Sequence, residues 1–197
     1  MEALIAYFGL AVMGMFFGTG LLIASAADRR RVSLAEVWRA YAARHRYAFA
    51  EGTTPERAFS IQGSREGVEF ILETDTRGSL VTRLRTRRLQ PYRGRVIAAL
   101  GRSRRGEADG GKTSSGDRHF DQLFDVRASD PLAAEEVLRP QVRQALQRFP
   151  TPMVGKALRL AVEHDTVIIE WAGGDVDPAP IEAAHAILRE VCRVRDR

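Results

Sequence analysis

Gly106-Glu107-Ala108-Asp109-Gly110-Gly111-Lys112-Thr113 spells GxxxxGK[ST], the spacing of a loop that wraps nucleotide phosphates. In such a loop a buried strand runs into the first glycine and a helix starts at the lysine. Backbone N–H groups and the helix N-terminus then hold the phosphates. Here Arg102-Ser103-Arg104-Arg105 precedes the match and Ser114-Ser115-Gly116-Asp117 follows it. Neither is an apolar strand end or a good first helical turn, and the flanks lack the alternating βαβ pattern. The match at 106–113 therefore reads as chance within a flexible loop.

Other reactive side chains do not converge either. His45, His119, His164 and His185 form no HExxH, no i, i+4 pair and no set with cysteines, so neither a metal nor a cofactor is expected. Asp117, Asp121 and Asp125 would line up on a helix, but HFDQLFDV reads as extended and lacks EF-hand spacing. His119 and Asp121 have no serine in a nucleophile-elbow context. Cys192 is the sole cysteine, which excludes an intramolecular disulfide, and it sits in an apolar stripe as a small hydrophobe. No catalytic residue is assigned.

Charge is the more distinctive feature. Between Arg77 and Arg105 lie ten arginines and no acidic residue. Arg83, Arg85, Arg87, Arg93 and Arg95 are the candidates for contact with an anionic surface such as lipid headgroups. A solvated strand face partly balanced by Glu69 and Glu73 is the simpler reading. Nucleic acid is disfavoured, because Tyr92 is the only aromatic residue in the tract.

The elements that would position these groups begin with an apolar run. Residues 3–27 carry no charge and are long enough, as a helix, to cross a bilayer. Arg29, Arg30 and Arg31 follow directly, which predicts an uncleaved anchor with the remainder in the cytoplasm. A signal peptide cut after Ala26 is the competing reading. Gly14 and Gly18 form a GxxxG face that would favour a homodimer through the transmembrane helix. The predicted organisation is an anchor over 1–27, a basic juxtamembrane segment over 28–33 and one soluble domain over 34–197, with a Gly/Ser-rich loop at 101–117.

The chain of 197 residues carries +5, and Glu2 is the only charge before Asp28, so the remainder carries +6. Of 30 basic residues only Lys112 and Lys156 are lysines, a bias that points to a GC-rich bacterial genome.

Within the domain, Ser33 to Glu36 reads as a capping box opening a helix over about 34–46, with Trp38 and His45 toward the core. Phe59 to Gln62 suggests a short strand. Residues 68–73 alternate, and Thr76-Arg77-Gly78 predicts a three-residue hairpin loop with Glu73 opposite Val81, Ile71 opposite Arg83 and Glu69 opposite Arg85. Asp130-Pro131 starts a helix, and Pro140 ends or kinks it. Leu158 to Trp171 form a second hairpin turning at His164-Asp165, and Ile181, Ala184, Leu188, Val191 and Cys192 are the inner stripe of a C-terminal helix.

FDQLFDVRASDPLAAEEVLRPQVRQAL, within about 120–149, resembles a segment of bacterial N-terminally membrane-anchored proteins of unknown function, in which a Phe–Asp strand precedes a helix carrying LxP. The resemblance implies no activity.

The sequence thus predicts an α+β protein: one N-terminal transmembrane helix, then antiparallel β-hairpins packed by three or four helices. Its expected role is a non-catalytic cytoplasmic binding or scaffold domain at the inner or plasma membrane, meeting a protein partner or the anionic leaflet. The alternatives are a membrane-tethered enzyme acting on a phosphorylated or anionic substrate, a nucleotide included, and a nucleic-acid-binding domain.

Overall fold

Apolar alternation is strongest in TVIIEWA, where Val167, Ile169 and Trp171 are buried and the residues between them are not. β-Branched and aromatic side chains at period two favour a half-buried strand, and the whole fold extends this pattern sideways. A computed structural model describes residues 34–54, 57–75, 81–87, 92, 94–100, 111–150, 157–173 and 177–193. Its strands are β1 (Ala48–Thr54), β2 (Arg57–Arg65), β3 (Val68–Asp75), β4 (Val81–Arg87), β5 (Arg95–Leu100), β6 (Gly111–Lys112), β7 (Phe124–Ala128), β8 (Leu158–Glu163) and β9 (Thr166–Ala172). They form one nine-stranded sheet in the order β1-β2-β3-β4-β9-β8-β5-β7-β6. Every neighbouring pair is antiparallel.

Register explains the core. Phe49, Ile61, Leu72, Leu84, Ile169, Leu160, Ala98 and Val126 are successive partners across eight strands, one apolar row on one face. Five described helices bury their apolar stripes on that face: α1 (34–45), α2 (Arg118–Leu123), α3 (Pro131–Val137), α4 (Pro140–Gln147) and α5 (Pro178–Cys192). Trp38 of α1 and Ile181 of α5 are both buried there. Each side chain of that size contributes roughly 1.5–3 kcal/mol on leaving water.

The helix starts are encoded locally. Asp117 accepts from the N–H groups of His119 and Phe120, Asp130 from Leu132 and Asp177 from Ala179, and Pro131 and Pro178 follow their caps directly. Pro140 opens α4, so it ends α3 and begins a separate helix.

The two hairpins join in one continuous sheet, because β4 pairs with β9. Several expectations need correction. Among the described residues no helix is long and apolar enough to cross a membrane. The predicted fold of a transmembrane helix plus hairpin domain is therefore replaced by a sheet-rich α+β fold. Residues 3–27, with Gly14 and Gly18, and residues 28–33 lie outside the described residues. No described element carries the transmembrane, single-pass or signal-anchor reading.

The first hairpin is also shifted by two residues. Asp75 pairs with Val81, which places Glu73 opposite Arg83 and Ile71 opposite Arg85. An even shift keeps the apolar faces together, so burial alone could not discriminate the two registers. His45 is exposed, where its ring lies 4.5 Å from Tyr41 and 5.6 Å from Tyr47. Residues 118–123 are helical rather than extended, with Asp121 accepting from Ser114 Oγ and the Ser115 N–H.

Candidate functional site

Two places gather polar side chains, and the first is the sheet face that no described helix covers. The register row Ser60–Glu73–Arg83–Glu170–Arg159 alternates charge across adjacent strands. Arg83 Nε donates to Glu170 Oε1 at 2.6 Å, and Arg159 donates to Glu170 Oε2 at 2.7 Å. Arg83 also reaches Glu73 Oε1 at 3.5 Å, and Arg85 lies 3.8 Å from the same oxygen. The Glu73 side chain is only 7 % exposed, so these guanidiniums rather than water are its polar neighbours. Burial pushes the Glu170 carboxyl upward, but the Arg159 hydrogen bond and the Arg83 charge outweigh it and leave the pKa below the ordinary glutamate range.

The remaining described arginines of the predicted set follow suit. Arg87 lies 3.4 Å from Asp165 and Arg95 2.7 Å from Glu163. Arg87 is 86 % exposed, so its pair contributes little. Arg93 lies outside the described residues. The next row sets Ile71, Ile168, Ala161 and Ile97 beside Arg85 and Arg127. Ile97 and Ala161 are each 1 % exposed, while Ile71 and Ile168 are half-buried.

The second place is a cleft between the β2–β3 turn and α5. Arg65 pairs with Val68, and the two residues between them, Glu66 and Gly67, have φ of 51° and 80°. A two-residue turn with both central residues left-handed matches the twist of the strands. This turn brings Arg65 to within 2.7 Å of Glu182, and Glu66 to within 2.7 Å of Arg189. Between the pairs lies His185, whose ring meets Phe70 edge-on at 4.4 Å. Burial, with Arg65 adding to it, lowers the His185 pKa to about 4, so the imidazole is neutral at pH 7.

An aromatic chain supports this end: Phe70 meets Tyr47 at 5.0 Å, and Tyr47 stacks on His45. Gly63 makes room for it, since a Cβ there would stand 2.4 Å from the Tyr47 ring. Burial and then Glu182 raise the Tyr41 phenol to about 12.

The phosphate-loop match is not assembled at its lysine. Gly111-Lys112 is an edge strand paired with Ala128 and Arg127, and the next helix starts only at Arg118. Residues 106–110 lie outside the described residues. Asp125 pairs with Arg127 at 3.1 Å and Asp117 caps α2, so the aspartates serve separate elements. Among the described residues no group of three or more His, Cys, Asp or Glu side chains could hold a metal. The cleft was hidden from sequence reasoning because 117 residues separate Arg65 from Glu182. Glu170 left a trace, as the one acid in an apolar strand.

These features define an α+β domain built on one nine-stranded antiparallel sheet, with helices on one face and cross-strand ion pairs on the other. No protein-family model matches the chain, and no curated protein matches it. A solved structure, the mycobacterial trehalose monomycolate transport factor A, TtfA, shares the fold with a TM-score of 0.59 at 13 % identity, covering 80 % of this chain and 91 % of that one.

Proposed function

We propose that this chain is a non-catalytic binding or scaffold domain serving a membrane-associated assembly. The observation that carries the reading is the sheet face without a described helix, where Ile71 and Ile168 stand among arginines already matched to carboxylates. Such a surface offers a protein partner apolar contact bordered by hydrogen-bonding charge. A phosphate ligand would instead compete with Glu170 and Glu73 for their guanidiniums, at a cost in desolvation. A membrane-associated role is compatible with the fold's occurrence in a transport factor.

The test is the native mass of the full chain extracted in mild detergent from its own cells. The wild type is expected well above its own 21.9 kDa, and Ile168→Glu is expected to release it from the larger species with its thermal midpoint unchanged. A wild type running as a single chain, or an Ile168→Glu variant retained in the larger species, contradicts the proposal.

A further inference from the structure

The geometry points to the cleft between the β2–β3 turn and α5 as a site for a small, neutral, polyhydroxyl ligand. This goes beyond the docking reading, because the cleft is built by other residues. Its wall holds two cations and two anions, joined as Arg65–Glu182 and Arg189–Glu66, each pair at 2.7 Å. With His185 neutral the wall has no net charge, so a charged ligand meets both signs. A hydroxyl suits such a wall because it donates and accepts at once. It gives to a free lone pair of Glu66 or Glu182 and takes from an unused N–H of Arg65 or Arg189 without parting either pair.

Two further observations set the ligand's character. The His185 ring lines the cleft, and its Nε2 has no hydrogen-bond partner among the described residues, so a small turn of the ring would offer it to a bound hydroxyl. Val68, Ala186 and Leu188 supply apolar contact for the C–H side of a polyol. The cavity measures about 110 Å³. That volume is the space open to water centres, of which one water needs about 10–15 Å³, so the cleft holds several waters and has room for a three-carbon polyol or one edge of a sugar ring.

The experiment follows the His185 imidazole carbon–proton resonance in the full chain during separate titrations with glycerol and glucose, and with acetate and guanidinium as charged probes. A saturable shift with glycerol assigns the site to a small free polyol, and one with glucose alone to a sugar edge. Ala186→Leu fills the cavity and is expected to abolish the shift with the fold intact. Arg189→Met, on the exposed rim, is expected to weaken binding about tenfold, the loss of one charge-assisted hydrogen bond. No saturable shift with either neutral ligand, a shift surviving in Ala186→Leu, or a stronger response to acetate or guanidinium would overturn the assignment.

Discussion

Glu170 shows how single residues decide the character of this domain. It stands alone among apolar neighbours in β9, and two arginines from the flanking strands bond its two oxygens. Glu170→Gln takes the counter-charge from Arg159 and one of two neighbouring carboxylates from Arg83, and should lower stability by about 2 kcal/mol in urea melts, the scale of a charge-assisted hydrogen bond. Because its folded pKa is depressed, the Glu170 contribution is present above the ordinary glutamate range and is lost as pH falls through the lower folded value. The variant should therefore have a shallower acid limb. His185 runs in the same direction at higher pH. Its folded pKa of about 4 lies below the ordinary 6.5, so stability holds above 6.5 and drains away as pH falls toward 4. Thermal midpoints measured across that window should fall less steeply for His185→Phe than for the wild type.

Among the elements, those whose signals are local were legible. The hairpin of β8 and β9 has the predicted pairing, with Val162 opposite Val167 and Leu158 opposite Trp171, because a two-residue turn leaves the register no freedom. Asp130-Pro131 marks a helix start where expected, and Pro140, expected to end or kink that helix, opens a separate one. The first hairpin slipped because a three-residue and a five-residue connection preserve the same alternation, and only the pairing of Glu73 with Arg83 separates them. α2 was missed because six residues are too few to display a helical period, although its cap, Asp117, was present in the sequence. That cap predicts a measurable loss. Asp117→Ala removes the carboxylate oxygen that accepts from two backbone N–H groups of α2 and a partner 3.5 Å from Arg143. It should cost about 1 kcal/mol in a denaturant titration.

At the scale of the molecule, the least legible feature was the seam between β4 and β9, which joins two sequence-distant halves into one sheet. Nothing local announces a pairing across more than eighty residues, nor the cleft that α5 closes against the β2–β3 turn. Leu84 sits at the centre of the seam, fully buried between Leu72 and Ile169. Leu84→Ala should cost about 3 kcal/mol through the lost methyl groups and residual cavity, and unfolding should remain a single transition if the sheet is one cooperative unit. The same arrangement underlies the proposed role, since the described helices occupy one face and leave Ile71 and Ile168 on the other. The most direct measurement places a photo-reactive amino acid at Ile168 in the full chain inside its own cells, and in a parallel strain at Leu132, which is 72 % exposed on the helix side. A discrete protein adduct is expected from position 168 and none from position 132. Adducts from position 132 alone, or none from 168, would contradict the proposed role.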